Sequence, residues 1–140
     1  MMKYLAIAFL FAATLTACSM QATDNFKDQL MGSWRIEMIK DRPVIDYSPA
    51  TLRFDADNRL SGNASCNNFS STYVLTDARL TLVAGAMTRK MCPAALMDQE
   101  SRYITALTEV RSGRVDQGML YLEGEGGALI FKAAPIAQAE

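Results

Sequence analysis

The chain has 140 residues, of which 50% are hydrophobic and 21% are charged, as expected for one ordinary globular domain. Its 14 basic and 15 acidic side chains give a net charge of −1, which excludes the strongly basic surface that nucleic-acid binding requires. Histidine is absent, and with it the usual general base and the commonest zinc and haem ligand. We therefore expect a protein that is not an enzyme and holds no metal or cofactor.

The first part of the chain, residues 1–17, is typical of a secretion signal. Lys3 precedes an apolar run over residues 4–15, which is too short to stay in a membrane, because a transmembrane helix needs roughly 20 apolar residues. The sequence Leu15-Thr16-Ala17-Cys18 resembles the lipobox of bacterial lipoproteins. In those proteins the peptidase cuts before the cysteine, and the cysteine carries the lipid.

A lipid on Cys18 would anchor the protein to a membrane, since each buried methylene contributes about 0.8 kcal/mol and two or three acyl chains hold almost permanently. Ser19 follows the cysteine, where aspartate favours inner-membrane retention in enterobacterial lipoproteins. The resemblance therefore implies the periplasmic face of the bacterial outer membrane. The alternative is an ordinary signal peptide with a fortuitous cysteine.

Residues 18–29 are polar without a strong period, and we predict a flexible lipidated tether there. Short alternating runs then predict antiparallel strands. Trp34, Ile36 and Met38 share one face of the first strand. The later strands are predicted around Leu52–Phe54, Leu60–Ala64, Tyr73–Leu75, Leu80–Leu82, Arg114–Gln117, Met119–Glu123 and Ala128–Lys132. The domain is expected to cover residues 30–133, followed by a flexible tail over residues 134–140.

One segment near the middle of the chain has helical rather than alternating periodicity. Pro93 suits the first turn of a helix, and the apolar residues Leu96, Tyr103, Ile104 and Leu107 then recur at helical spacing. The opposite side of this helix is expected to be polar, with Asp98, Gln99, Ser101 and Thr105. We predict one amphipathic helix over residues 93–109, packed on the sheet.

The most informative residues surround the predicted start of this helix. In chain order they are Gly62, Cys66, Asn67, Tyr73, Thr88, Cys92 and Glu100. Over about residues 30–132 the pattern resembles the META domain family, and in particular its HslJ-like heat-shock lipoproteins of enteric bacteria. It departs from the family at Ser65, where many members have glycine.

The resemblance implies a mostly β fold of the α+β class, a curved antiparallel sheet or half-barrel with one packed amphipathic helix. It also implies a link to heat shock, envelope stress and novobiocin resistance. No catalytic activity and no cofactor are established for the family, so the resemblance implies none here apart from the lipid on Cys18.

Cys66 and Cys92 allow several interpretations. A catalytic pair is disfavoured because nucleophilic cysteine normally needs a base such as histidine, and two sulfurs without histidine make a poor zinc site. An oxidising compartment favours a disulfide, which would stabilise the fold by about 3 kcal/mol. Two buried free thiols remain the alternative.

The polar residues near these cysteines are either a binding site or structural. As a binding loop they would present side chains to a ligand, and as structural groups they would satisfy the backbone of an irregular turn, which we favour for the asparagines. The candidates are Asn67, Asn68, Tyr73, Thr88, Arg89 and Glu100.

Glu100 falls on the apolar side of the predicted helix, where an unpaired charge would be costly. We expect a structural ion pair with Arg89 or Arg53, and participation in a ligand site is the alternative.

Two functional hypotheses follow. The first is a non-enzymatic envelope lipoprotein that contacts the membrane through its lipid anchor and binds or supports another envelope protein. The second is a binder of a small apolar ligand, a lipid or a drug, on the concave face of the half-barrel.

Overall fold

The computed structural model describes residues 20–83 and 85–137, so the predicted signal peptide and Cys18 lie outside the described residues. Its helices are α1 (Met20–Leu30) and α2 (Ala94–Leu107). Its strands are β1 (Gly32–Ile39), β2 (Arg42–Pro43), β3 (Thr51–Phe54), β4 (Arg59–Asn63), β5 (Asn68–Thr76), β6 (Arg79–Leu82), β7 (Ala86–Met87), β8 (Ser112–Asp116), β9 (Met119–Glu123) and β10 (Leu129–Pro135). In this part of the chain no helix has the length and apolar character needed to cross a membrane.

The longer strands form one curved antiparallel sheet in the order β6-β5-β4-β3-β1-β10-β9-β8, and the short strands β2 and β7 pair with β1 and β5. The two end strands approach each other, and the backbone N–H of Leu80 donates to the carbonyl oxygen of Arg111 at 2.8 Å. The sheet is therefore a nearly closed barrel. This confirms the predicted mostly β fold with one packed helix.

The barrel interior is filled by large side chains. Phe54 and Tyr73 pack edge to face with ring centroids 5.2 Å apart. Tyr103 of α2 packs against Phe69 at 5.8 Å and against Phe131 at 5.1 Å. Such aromatic pairs add about 0.5–1.5 kcal/mol each beyond the area they bury, so α2 is part of the core rather than a peripheral cover.

The alternating pattern predicts most inward-facing residues correctly but fails at the end of β1. Leu52 and Phe54 are buried on either side of exposed Arg53, as predicted. On β1 the register against β10 shifts between Ile36 and Met38, so that Ile39 is fully buried in place of Met38. A β-bulge of this kind inserts one residue and reverses the inward face beyond it.

The helix α1 corrects the predicted tether over residues 18–29, because the segment is helical from Met20 onward. Its last residue, Leu30, is fully buried, and the ring of Phe26 lies against Gly113 of β8. These two apolar contacts hold α1 on the barrel.

The strand β10 corrects the predicted start of the tail, because it continues to Pro135 rather than ending before residue 134. Ala134 pairs with Arg35, and Pro135 pairs with Trp34. Pairing with the central strand β1 therefore orders two residues that have no strong pattern of their own.

Gly62 is required by close packing between neighbouring strands. A Cβ atom at this position would lie 2.2 Å from the carbonyl oxygen of Thr51 on β3, a distance that side-chain atoms do not adopt. The glycine of the sequence motif thus has a backbone packing role.

Ionisation of the buried side chain of Tyr103 should lower the stability of the fold at alkaline pH. Burial raises the pKa of Tyr103 well above its usual value of 10.0, because the phenolate would lose its hydration. In the unfolded chain the same group ionises near pH 10, so the stability it contributes is complete below pH 10 and is lost as pH rises from there towards the folded-state pKa. Burial and the nearby Asp55 and Asp57 also raise the pKa of Tyr73. Its contribution to stability is therefore also lost as pH rises above 10.

We therefore expect the free energy of unfolding in urea to fall steeply above pH 10, by up to about 1.4 kcal/mol per pH unit for each such tyrosine. Tyr103→Phe should reduce this slope, whereas Tyr47→Phe, which changes a fully exposed side chain, should leave it unchanged. An unaltered slope in Tyr103→Phe would contradict the assignment.

Candidate functional site

Several polar residues of the sequence motif meet at the first turns of α2. We call this group the Glu100 cluster and define it as Cys66, Asn67, Thr88, Lys90 and Glu100. The loop between β4 and β5 supplies Cys66 and Asn67, the segment after β7 supplies Thr88 and Lys90, and α2 supplies Glu100. Asn67 and Glu100 are both buried, and Glu100 is only 8% exposed.

The carboxylate of Glu100 accepts hydrogen bonds from the loop rather than pairing with a cation. Its Oε2 atom accepts from the backbone N–H of Cys66 at 3.2 Å and of Asn67 at 2.6 Å. Its Oε1 atom accepts from Nδ2 of Asn67 at 3.0 Å. Hydrogen bonds to an ionised acceptor are roughly twice as strong as neutral ones, so these donors compensate for the buried charge.

The predicted ion pair of Glu100 with an arginine is therefore wrong. Arg53 lies on β3 and pairs with Asp55 at 3.0 Å, and Arg89 is exposed. The tight loop directs two consecutive N–H groups at the helix, and these take the place of a cation.

The side chain of Asn67 is fully used within the cluster. Its Oδ1 atom accepts from Oγ1 of Thr88 at 2.9 Å and from the backbone N–H of Lys90 at 2.6 Å. Its Nδ2 atom donates to Glu100 and to the carbonyl oxygen of Lys90, the latter at 3.3 Å. An asparagine amide offers two donors and two acceptor positions, so this side chain has no capacity left for a ligand.

A disulfide joins the same loop to the residue that precedes α2. Cys66 and Cys92 are bonded, with their Cα atoms 5.9 Å apart, and Cys66 is buried. The loop is thus held to the α2 region twice, covalently through Cys92 and by hydrogen bonds through Glu100.

The backbone conformation at Ser65 accounts for the glycine that many family members have at this position. Its φ angle is +115°, in a region that only glycine adopts without strain. The Oγ atom of Ser65 accepts a hydrogen bond from Nε2 of Gln99 at 2.6 Å. Serine therefore adds a contact to α2 that glycine could not make.

Gln99 is a structural polar residue that sequence reasoning placed incorrectly, because it is fully buried and not on the polar face of the helix. Its Nε2 atom donates to Oγ of Ser48 at 2.6 Å as well as to Ser65, and its Oε1 atom accepts from the backbone N–H of Ile45 at 2.8 Å. These partners come from two loops distant in sequence, so periodicity alone gave no signal of its burial.

The remaining candidate residues divide between the cluster and the rest of the barrel. Asn68 lies beside the cluster, where its Oδ1 atom accepts from Nδ2 of Asn63 at 2.8 Å and its backbone N–H donates to Oγ1 of Thr88 at 3.1 Å. Tyr73 is separate from it, because its hydroxyl donates to the carbonyl oxygen of Asp55 at 2.9 Å. The exposed side chain of Arg89 has no part in the hydrogen bonds described for the cluster.

Solved structures share this fold at low sequence identity. A protein from Burkholderia xenovorans, determined by NMR, has a TM-score of 0.67 and 19% identity, with 96% of this chain and all of that chain covered. A DUF4847 family protein from Bacteroides vulgatus has a TM-score of 0.58 and 14% identity, covering 81% of this chain and 98% of its own. A further NMR structure has a TM-score of 0.59 and 24% identity, covering 76% and 92%. These similarities establish the fold alone.

A search of curated proteins found no match to the chain. The family comparison is more specific, because the META domain model matches residues 24–136 and so spans the whole barrel with both helices except the first turn of α1. The motif residues Gly62, Asn67 and Glu100 lie within that match and have the packing roles described above. The chain belongs to the META domain family.

Proposed function

We propose that this protein is a non-enzymatic lipoprotein of the bacterial envelope, anchored through Cys18 to the periplasmic face of the outer membrane. It acts by binding or supporting another envelope component. By its resemblance to the HslJ-like branch, we extend the proposal to a role in heat shock or envelope stress that affects novobiocin resistance.

The proposal that the protein is not an enzyme rests on the Glu100 cluster, in which the side chains of Asn67 and Glu100 are already hydrogen-bonded within the protein. The buried carboxylate and the asparagine amide, the groups best suited to chemistry in this chain, are occupied by the N–H, carbonyl and hydroxyl groups of their own loops. A general acid or base needs an atom within reach of its substrate, and this arrangement offers none. The cluster is best interpreted as a clamp that fixes the loop to α2.

Exposed apolar side chains beside the clamp support a binding role. Met91 is 91% exposed and Tyr47 is fully exposed. Met91 precedes the disulfide residue Cys92, and Tyr47 precedes Ser48, which is hydrogen-bonded to Gln99. Large apolar residues on rigidly held loops are typical of surfaces that contact a partner.

The alternative, an apolar ligand on the concave face, is not favoured. Phe54, Tyr73 and Tyr103 pack against their neighbours in the barrel interior, where such a ligand would have to lie. A ligand would need these side chains to leave a close-packed core.

The anchoring proposal is tested by Cys18→Ser in cells grown with labelled palmitate. We expect the variant to lose the label and to leave the detergent phase, because its only acylation site is gone. The control is the double variant Cys66→Ala and Cys92→Ala, which should keep the label. Labelling of Cys18→Ser at the wild-type level would refute the anchor.

The partner proposal has a separate test. A photo-crosslinking amino acid at position 91 should capture an envelope protein in cells, whereas the same group at the exposed position 74 on β5 should not. Recovery of only lipid and lipoprotein-sorting factors from position 91 would refute the binding role without affecting the anchor.

A further inference from the structure

An exposed, positively charged segment runs from the end of β7 into the first turn of α2. We call it the Arg89 segment and define it as residues 88–95. Within it Cys92 is half-buried and every other residue is exposed, Met91 to 91%. Its two charged residues are Arg89 and Lys90. The segment therefore presents two adjacent cations and one large apolar side chain to solvent.

The positive charge of this segment is not balanced by ion pairs in the part of the chain that the structure describes. Neither Arg89 nor Lys90 has an acidic side chain within ion-pair distance there. No acidic residue occurs in the sequence between Asp77 and Asp98, and Asp98 pairs with Arg102. Both cations are thus accessible to a partner and are not engaged by the protein itself.

Glu100 is connected to the segment through Asn67, but its carboxylate is buried. The Nδ2 atom of Asn67 donates both to Oε1 of Glu100 and to the carbonyl oxygen of Lys90. The Oε2 atom of Glu100 accepts from the backbone N–H groups of Cys66 and Asn67, so no cation is its partner. The negative charge therefore faces the interior, whereas the side chains of Arg89 and Lys90 face water.

The backbone of the segment is held in place without a partner. The N–H of Thr88 donates to the carbonyl oxygen of Asn68 at 3.0 Å, and the N–H of Lys90 donates to Oδ1 of Asn67 at 2.6 Å. The disulfide fixes Cys92. A preorganised surface loses little conformational entropy on binding, which favours association with a partner whose charges are also fixed.

We propose that the Arg89 segment is a docking surface for an acidic protein, whose carboxylates pair with Arg89 and Lys90 and whose apolar surface receives Met91. Arginine and methionine are enriched in protein interfaces, and complementary charge raises the rate of association. This inference rests on the proposed binding role and adds to it the chemistry of the partner.

An anionic lipid surface could also attract two cations, but the segment suits it less well. Each basic residue raises the affinity for such a surface only about fivefold. Peripheral binding normally adds an apolar helix face with aromatic or leucine side chains, and residues 88–95 contain neither. A folded protein can hold carboxylates opposite both cations at once, which matches the fixed backbone of the segment.

Carbodiimide crosslinking of cells that express the full chain tests the proposal, because the reagent joins a lysine amine to a carboxylate that it contacts. We expect mass spectrometry to identify an amide bond between Nζ of Lys90 and an aspartate or glutamate of another protein. The internal bond between Lys40 and Glu109, whose Nζ and Oε1 atoms lie 2.8 Å apart, is the control for the reaction. Lys90→Arg keeps the charge without the amine and should lose the crosslink.

Charge-reversal variants, read by photo-crosslinking from position 91, separate docking from general attraction. Arg89→Glu combined with Lys90→Glu should lower capture of the same protein about tenfold or more, because like charges then face each other. Lys27→Glu combined with Arg79→Glu is the matched control. It changes the net charge equally at two exposed residues outside the segment, so capture should equal that of the wild type. Urea unfolding should show that both variants keep the wild-type stability.

The outcomes distinguish this inference from the proposed function. Protein capture from position 91 that both charge-reversal variants retain equally would overturn the acidic partner and leave the binding role intact. Formation of the Lys40–Glu109 bond without any crosslink from Lys90 to another protein would also overturn the acidic partner. Capture of lipid alone from position 91 would overturn both the inference and the binding role.

Discussion

Glu100→Ala is expected to lower the free energy of unfolding by about 3–5 kcal/mol, a large part of the 5–15 kcal/mol typical of a domain. The substitution removes the acceptor of the backbone N–H groups of Cys66 and Asn67 and of the Asn67 side chain. These donors would remain buried without a partner, and each such donor costs about 1–3 kcal/mol. Urea unfolding followed by the fluorescence of buried Trp34 measures the change.

Two further variants make this result specific to the clamp. Glu100→Gln keeps the size of the side chain but replaces one acceptor oxygen by a donor, so we expect an intermediate loss. Glu109→Ala removes a glutamate just after the end of α2 whose ion pair with Lys40 is about half exposed to solvent, and we expect a loss below about 1 kcal/mol. Equal effects of Glu100→Ala and Glu109→Ala would contradict the clamp.

The second large effect is expected from removing the disulfide. The double variant Cys66→Ala and Cys92→Ala should lose about 2–5 kcal/mol, because the bond closes a loop between residues 26 positions apart and restricts the unfolded chain. Urea unfolding of the wild type with and without a reducing agent should give a similar difference, while the double variant should not respond to reduction.

Mass spectrometry of the unreduced protein after alkylation tests the pairing itself. We expect no alkylation at Cys66 or Cys92. Alkylation at both positions would show two free thiols in place of the bond, and a reducing agent would then have no effect on stability.

The disulfide and Glu100 restrain one loop, so their effects should not simply add. Once the disulfide is absent, the loop is free to leave the helix when the Glu100 contacts are also removed. Residues that share a network typically show interaction energies of 0.5–3 kcal/mol. The rigidity of this loop also matters for the proposed binding surface, because Met91 lies next to Cys92.

Local sequence patterns were sufficient to predict much of the barrel. Leu52 and Phe54, and likewise Leu80 and Leu82, alternate with polar residues because each strand has one face in the core and one in water. The pattern could not locate the β-bulge after Ile36, since a bulge changes the pairing with β10 without an obvious change in the sequence of β1.

The partners of the polar core residues were not predictable in the same way. Helical spacing predicts that Gln99 lies on the surface. Its burial depends on hydrogen bonds with Ser48, Ser65 and Ile45, which the spacing does not reveal. For Glu100 the expected partner was a cation, whereas the observed partners are main-chain N–H groups. Every residue has such a group, so only the path of the loop decides which ones reach the carboxylate.

The family motif acquires a physical meaning from these contacts. Gly62 allows β3 and β4 to approach closely, Asn67 joins the loop to the segment after β7, and Glu100 binds the loop to α2. Each residue has a structural task, which agrees with the interpretation favoured for Asn67 from sequence and replaces the ion pair expected for Glu100.

The central claim is that Glu100 clamps the Cys66–Asn67 loop and is not available for chemistry. Native-state hydrogen exchange of the backbone N–H groups of Cys66 and Asn67 tests it most directly, because both donate to the buried carboxylate. The account predicts that both amides exchange only through global unfolding, with the same free energy as the protected core strands. Exchange of these two amides at the rate of an unprotected loop, in protein whose core strands remain protected, would contradict it.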